Sequence, residues 1–319
     1  MILVGIDEAG YGPLLGPLVA SAVAFDVPDA CAGTSLWELL RGSVTDRVRA
    51  RDPRLVITDS KKLSARTDGL ERLERAALAV LGVRSAPPSS FLGLLSQLAP
   101  QAVADVRRCR WYAAADVRLP AAASRDRIAT AANALARDLR RHDIRFLGAC
   151  SEPVTAAVFN RMVRNTRNKA VVLFSLTVRL IQRVADAHPG RPLHVVVDRQ
   201  GGRQAYGQAI MRAFELPALR ILEETPARSA YALESRPADC TIEFLRKGET
   251  HHLPIALASI FAKYQRELFM QLLNRFFRRR RPDLAPTAGY YADGRRFLHD
   301  IRGDLETLGI DRATLVRSL

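Results

Sequence analysis

Three apolar, branched stretches of this chain run into acids. Met1–Ile6 leads to Asp7 and Glu8, Leu193–Val197 to Asp198, and Cys240–Leu245 to Lys247, Gly248 and Glu249. Short apolar runs bounded by glycine or polar residues predict buried strands. Strands pointing the same way bring their final side chains to one edge of an α/β sheet. Four carboxylates sharing one mouth repel each other unless cations sit between them. Oxygen-only donors suit Mg²⁺ or Mn²⁺. Two such ions, roughly 3.5–4 Å apart, can activate a water and stabilise the leaving oxygen of a phosphodiester. A single acid at a strand end usually means a solvated loop residue or a helix cap. The case rests on all four acting together.

The elements that would position these acids follow from pattern and punctuation. After the first run, Gly10, Gly12, Pro13, Gly16 and Pro17 break the chain, and Leu18–Phe25 reads as a second, antiparallel strand. A helix is expected around Ser35–Ala50. Asp59-Ser60-Lys61-Lys62-Leu63 reads as a polar loop, with Ser64 capping a helix through Leu81. Pro87, Pro88, Ser89 and Ser90 suggest a linker over 84–100. Residues 101–143 are rich in Ala and Arg, with a helix over Arg125–Arg141, and 84–143 reads as an insertion of no evident role. Further expectations are a strand at Ile144–Cys150, helices at Val154–Arg164 and Lys169–Ala187, and a hairpin from Leu219–Glu223 and Ala230–Glu234. A long helix over Pro254–Arg278 and a helix pair over Asp293–Leu319 complete the reading. The order predicts an α/β domain with a mixed sheet, a single catalytic domain spanning 1–319 with C-terminal helices over about 254–319.

The chain has 319 residues, a formal net charge of +15 and 48% hydrophobic residues. Such a length and composition fit a globular chain with a sizeable core. The positive field favours polyanions, nucleic acid first among them. Cys31, Cys109, Cys150 and Cys240 form no C-x-x-C pair, which argues against structural zinc or a disulfide framework. Residues 1–25 carry Asp7 and Glu8 where a signal peptide would be apolar, and no run is long enough to span a bilayer, so a cytoplasmic location is expected. Of 48 basic residues only those at 61, 62, 169, 247 and 263 are lysine. Where generic charge is supplied by arginine, a retained lysine suggests a need for a compact ammonium.

Gly5-Ile6-Asp7-Glu8-Ala9-Gly10-Tyr11-Gly12-Pro13-Leu14-Leu15-Gly16-Pro17 resembles the opening motif of type 2 ribonucleases H, the ribonuclease HII/HIII family. Asp59-Ser60-Lys61-Lys62-Leu63 resembles the family's next motif, and Val195-Val196-Val197-Asp198 its third-carboxylate strand. Lys247-Gly248-Glu249 with Ile255–Lys263 is similar to the fourth-carboxylate segment and its helix. Gly289-Tyr290 and Arg317-Ser318 resemble its C-terminal signatures. The motifs run in order from residue 2 to the C-terminus, with gaps at about 84–143 and 202–235.

The resemblance implies a ribonuclease-H-like fold and endonucleolytic cleavage of the RNA strand of RNA/DNA hybrids, leaving 5′-phosphate and 3′-hydroxyl ends. Two ions of Mg²⁺ or Mn²⁺ would be held by Asp7, Glu8, Asp198 and Glu249. Asp7, first past the central strand, would bridge them. No membrane and no obligate protein partner are implied. Gly10, Tyr11, Gly12, Lys61, Lys62, Lys247 and Tyr290 would contact substrate, the glycine backbone approaching the 2′-hydroxyl that marks RNA.

Glu249 is the HIII residue where HII has Asp, and Phe159-Asn160 with Asn168-Lys169-Ala170 is similar to HIII. HIII carries an extra N-terminal domain, which is not expected where the motif starts at residue 5. Tyr11 departs from the Gly-Arg-Gly of HII, whose arginine helps to read an RNA–DNA junction. A phenol cannot make the bidentate phosphate contact of a guanidinium. Incision at a single embedded ribonucleotide is therefore not implied. The alternative from another class is a nucleic-acid-binding protein of this fold with weak or altered nuclease activity. His251 and His252 lack a third nitrogen or sulfur ligand for zinc. Arg278–Arg281 reads as a solvated helix end or a phosphate grip. Glu267 reads as an ion-pair partner of Arg266 or Arg275, and Lys263, on a mostly apolar helix, as either structural or functional.

Overall fold

The computed structural model describes residues 1–49, 52–233 and 239–318. Its strands are β1 (Ile2–Ala9), β2 (Leu18–Asp26), β3 (Val44–Thr45), β4 (Leu55–Val56), β5 (Arg145–Val154), β6 (Leu193–Asp198), β7 (Arg220–Glu224), β8 (Arg228–Leu233) and β9 (Cys240–Leu245). Seven form one sheet in the order β5-β2-β1-β6-β9-β8-β7, while β3 and β4 pair separately in parallel. β1, β6 and β9 run parallel; β2 is antiparallel to both neighbours. The five strands β5-β2-β1-β6-β9 make the mixed sheet that the sequence predicted. β7 and β8 extend it as the expected hairpin, though Glu234 lies outside the described residues.

The three parallel strands are apolar on both faces because helices cover both. One face carries the long helix Leu253–Arg278, with Gly69–Leu81, Phe91–Leu98 and Arg125–Arg141 packed around it. The other carries Ala156–Thr166, Lys169–Ala187 and Gly207–Ala213. Gly5 explains how closely the long helix approaches β1. A Cβ there would stand 2.1 Å from the backbone carbon of Pro254, so only glycine lets the helix start that low on the sheet.

Several expectations need correction. The linker over 84–100 is core: Phe91, Leu94, Leu95 and Leu98 are buried in the helix Phe91–Leu98, and Phe91 meets Phe269 edge-on at 4.7 Å. The polar and proline-rich residues before it form its N-cap, with Ser90 Oγ accepting from the Gly93 amide. The insertion as a whole is tied down by Glu74, whose buried carboxylate accepts from the amides of Ala121, Ala122 and Ala123 and from the Tyr264 hydroxyl. The helix expected at Ser35–Ala50 is only Leu36–Leu39, followed by β3, and Ala50 lies outside the described residues. The loop at 59–63 is a short helix, Ser60–Ser64, capped by Asp59, and a separate helix begins at Gly69. The final pair is three short helices, Tyr291–Asp300, Arg302–Leu308 and Arg312–Leu315, with Leu319 outside the described residues.

Candidate active site

The acids meet where the sheet changes its pairing. β1 pairs with β6 only as far as Ile6 and Val197, but stays paired with β2 through Ala9. Asp7 and Glu8 therefore lie inside a strand rather than past its end, and the pleat sends them to opposite faces. Asp198 is the last residue of β6, level with Asp7 by register. Glu249 sits in the short 3₁₀ turn Gly248–Thr250 after β9. That turn is bound to Asp198, whose Oδ1 accepts from the Gly248 amide at 2.8 Å. Lys247 adopts a left-handed φ of 56°, a conformation rare for a side-chain-bearing residue, and the kink turns the chain back over the end of β6.

The electrostatics are those of crowded buried acids. Burial, then the Glu8 charge, push the Asp7 carboxyl well above the ordinary carboxylate range, against hydrogen bonds from Ser259 and the Glu8 amide. Burial, then Asp7 and Glu249, raise Asp198 to about 8. Burial and Asp198 raise Glu8 to about 7, opposed by the Lys61 ammonium. Each of the four acids thus feels at least one other. Glu249 Oε2 is buried without a hydrogen-bond partner. An orphaned oxygen among crowded carboxylates suits a hard divalent cation, which would relieve both defects at once. Among the described residues, however, no group of three or more His, Cys, Asp or Glu side chains is placed so as to hold a metal ion.

The remaining sequence-derived residues fall into two groups. Gly10, with φ of 87°, is needed where it stands: a Cβ would meet Arg266 Nε and the Pro17 carbonyl, both at 2.6 Å. Gly12 has open space around it. Tyr11 is half-buried, with Lys169 Nζ 5.6 Å from its ring centroid. Lys61 lies near Glu8, while Lys62 and Lys247 are exposed. Tyr290 is exposed and lies 5.7 Å from the buried Arg266 guanidinium.

The histidines sit apart from the acids: His252 lies near His194 and Glu243, which hydrogen bond at 2.8 Å. Glu267 pairs with Lys263 at 2.7 Å, not with Arg266 or Arg275, because the i,i+4 spacing brings it to the lysine; Lys263 is thereby accounted for structurally. In the arginine run, Arg280 covers the Phe276 ring and Arg281 reaches Asp300 and Asp304.

Ser259 and Arg266 have a structural claim on the site that the sequence reading did not assign them, and Arg317 and Gly289, noted there only as part of C-terminal signatures, share it. Ser259 bonds both Asp7 and Ser60, joining the long helix to the acids and to the Ser60–Ser64 helix. Arg266 and Arg317 are buried and hold the turn after the acids by its carbonyls, Arg266 at Leu15 and Arg317 at Pro13. Gly289 completes that clamp, its carbonyl accepting from the amides of Leu14 and Leu15. A charged residue on an apolar helix face was the only hint of Arg266.

No family model matches the chain. A curated relative, Ribonuclease HII of Gluconobacter oxydans, is 37% identical over 102 residues, which is 31% of this chain and 48% of that protein. The chain thus matches about half the length of that relative, and the match agrees with the resemblance to type 2 ribonucleases H. Among solved structures, Bst-RNase HIII in complex with Mn²⁺ aligns over 100% of this chain and 66% of its own, at 15% identity and a TM-score of 0.44. Ribonuclease H2 from Pyrococcus horikoshii OT3 aligns over 99% and 92%, at 14% identity and a TM-score of 0.41. At that distance neither supports residue-by-residue correspondence. Among the described residues no helix is long and apolar enough to cross a membrane.

Proposed function

We propose that this chain hydrolyses the RNA strand of RNA/DNA hybrids by a divalent-metal mechanism, as a type 2 ribonuclease H. The observation that carries the reading is that Asp7, Glu8 and Asp198, from two neighbouring strands, and Glu249, from the turn after a third, act on one another at one partly buried notch. Their carboxylates would hold Mg²⁺ or Mn²⁺, with Glu249 Oε2 as a ready donor. Bound there, two such ions would supply an activated water and charge neutralisation at the scissile phosphate. The chain's own residues do the rest. Gly10 and Gly12 keep the backbone bare beside the acids, where a 2′-hydroxyl would be read. Lys61, Lys62 and Lys247 line the approach with ammonium groups suited to phosphates. Tyr290, exposed and braced by Arg266, offers a face for stacking. The Arg266–Arg317–Gly289 clamp fixes the turn between acids and substrate.

The test uses labelled RNA/DNA hybrid, duplex DNA with one embedded ribonucleotide, and plain duplex DNA, each with Mg²⁺ or Mn²⁺. Cleavage of the hybrid, leaving 5′-phosphate ends and lost by at least about 100-fold in Asp7→Asn, is the expected result. Binding without cleavage would instead support the nucleic-acid-binding alternative, for which Tyr11 speaks. Cutting of plain DNA would mean a different substrate.

A further inference from the structure

We propose that Tyr11, Lys169 and Arg203 together seat one backbone phosphate of a nucleic acid strand beside the carboxylate notch, an assignment that rests on the nuclease reading only for which polyanion is bound. Tyr11 projects from the turn after Glu8, on the face of the sheet covered by the helix Lys169–Ala187. Lys169 begins that helix and lies over the Tyr11 ring at 5.6 Å. Arg203 comes from the loop after Asp198, its guanidinium 5.6 Å from the rings of both Phe174 and Tyr206. Its charge reaches the Tyr11 phenol, as does that of Glu8. Lys169 thus lies over the face of the Tyr11 ring, and Arg203, from a separate element, is near enough for its charge to act on the phenol.

What distinguishes these cations is how they are held. Several half-buried basic residues elsewhere meet acids, Arg183 at Glu152, Arg228 at Glu223 and Glu243, and Lys263 at Glu267, while Arg75 and Arg199 are held by backbone carbonyls. Among the described residues no carboxylate pairs with Lys169 or Arg203. Aromatic faces hold both in place without neutralising them. A cation fixed this way keeps its charge for an external anion, and a phosphodiester can accept from an ammonium, a guanidinium and a phenol at once. Lys169 is also one of only five lysines in a chain that otherwise uses arginine. The pair supplies from two other elements the phosphate contact that a guanidinium at position 11 would otherwise make.

The experiment reads the number of phosphate contacts directly. Binding of a fluorescent RNA/DNA hybrid, and of duplex DNA of the same sequence, is followed in EDTA across a KCl series. Wild type is compared with Lys169→Gln, Arg203→Gln, the double variant, Lys169→Arg, and Arg140→Gln as a control on an exposed helix face. Loss of the one seated phosphate should reduce the slope of log K against log salt by about 0.9. Each single variant should lose part of that and the double variant about the whole of it and no more, Lys169→Arg little, and Arg140→Gln nothing, with melting temperatures unchanged. Slopes equal to wild type in both single variants, an equal loss in Arg140→Gln, or failure of the wild type to bind either duplex would overturn the proposal. If the slopes fall as expected but no hybrid is cut, the phosphate seat stands and the nuclease reading fails. If hybrids are cut and the slopes do not move, the reverse holds.

Discussion

At the scale of single residues, the notch is a place where function and stability pull apart. Asp7, Glu8 and Asp198 are all held above the ordinary carboxylate range, first by burial and then by one another. A folded chain gains nothing from that crowding until a cation enters. Asp198→Asn removes one of the repelling charges and keeps an oxygen that can accept from the Gly248 amide. The variant should lose cleavage yet be more stable than wild type in EDTA, by about 1–2 kcal/mol, as when a strained functional site is relaxed. Addition of Mg²⁺ should narrow the gap by stabilising the wild type alone. Thermal melts with and without metal check this, and a variant less stable than wild type in EDTA would mean that the acids do not crowd.

At the scale of elements, the strands and helices around the acids were legible because each carries its own periodicity and punctuation. Lys169–Ala187 and Arg125–Arg141 have the bounds the sequence pattern gave them, and the acid-bearing strands were located to within a few residues. Contacts between distant parts of the chain were not legible. Residues 84–100 looked like a linker because proline and serine precede a helix whose apolar face finds its partner only in the long helix. The same holds for the C-terminal strap. Val316 bridges to Leu15, Arg317 grips the Pro13 carbonyl, and Asn160 locks the strap from below. Asn160 donates to the carbonyls of Ala313 and Val316 at 2.8 Å each, and its Oδ1 accepts from the Ser318 amide and hydroxyl. Asn160 stands out in the sequence only through the resemblance of Phe159-Asn160 to HIII, and nothing local shows that its partners lie more than 150 positions away. Asn160→Ala leaves two carbonyls unmet and should cost about 2–3 kcal/mol. Since the strap positions the turn beside Tyr11, activity at a temperature where the variant is folded should fall through kcat more than through the metal requirement. A variant with full stability would show that the strap is held by Arg317 alone.

At the scale of the whole molecule, a net charge of +15 surrounds an acidic notch, and the two respond to pH in different ways. The basic surface draws polyanions and is weakened by salt. It also makes the fold sensitive to acid, because protonating carboxylates raises a charge that is already high. The clearest single contributor is Glu243 on β9. Burial would raise its pKa, but hydrogen bonds from His194 and Arg228 prevail and hold it down to about 2, from an ordinary value of 4.5. A depressed folded pKa means that the unfolded chain binds the proton first. The stability it confers is therefore present above the unfolded value and is lost as pH falls from about 4.5 towards 2. The full shift would correspond to about 3 kcal/mol, and the exposure of Arg228 reduces that to roughly 2 kcal/mol. Because the raised carboxyls of the notch take up protons in the folded chain between pH 7 and 5, the urea midpoint in EDTA should be higher at pH 5 than at pH 7, and it should then fall sharply by pH 3. Glu243→Gln should start lower and fall less, because the linked proton is gone. Equal falls in the two proteins would assign the acid sensitivity to general charge repulsion, which added salt would relieve in both, rather than to this ion pair at the edge of the parallel sheet.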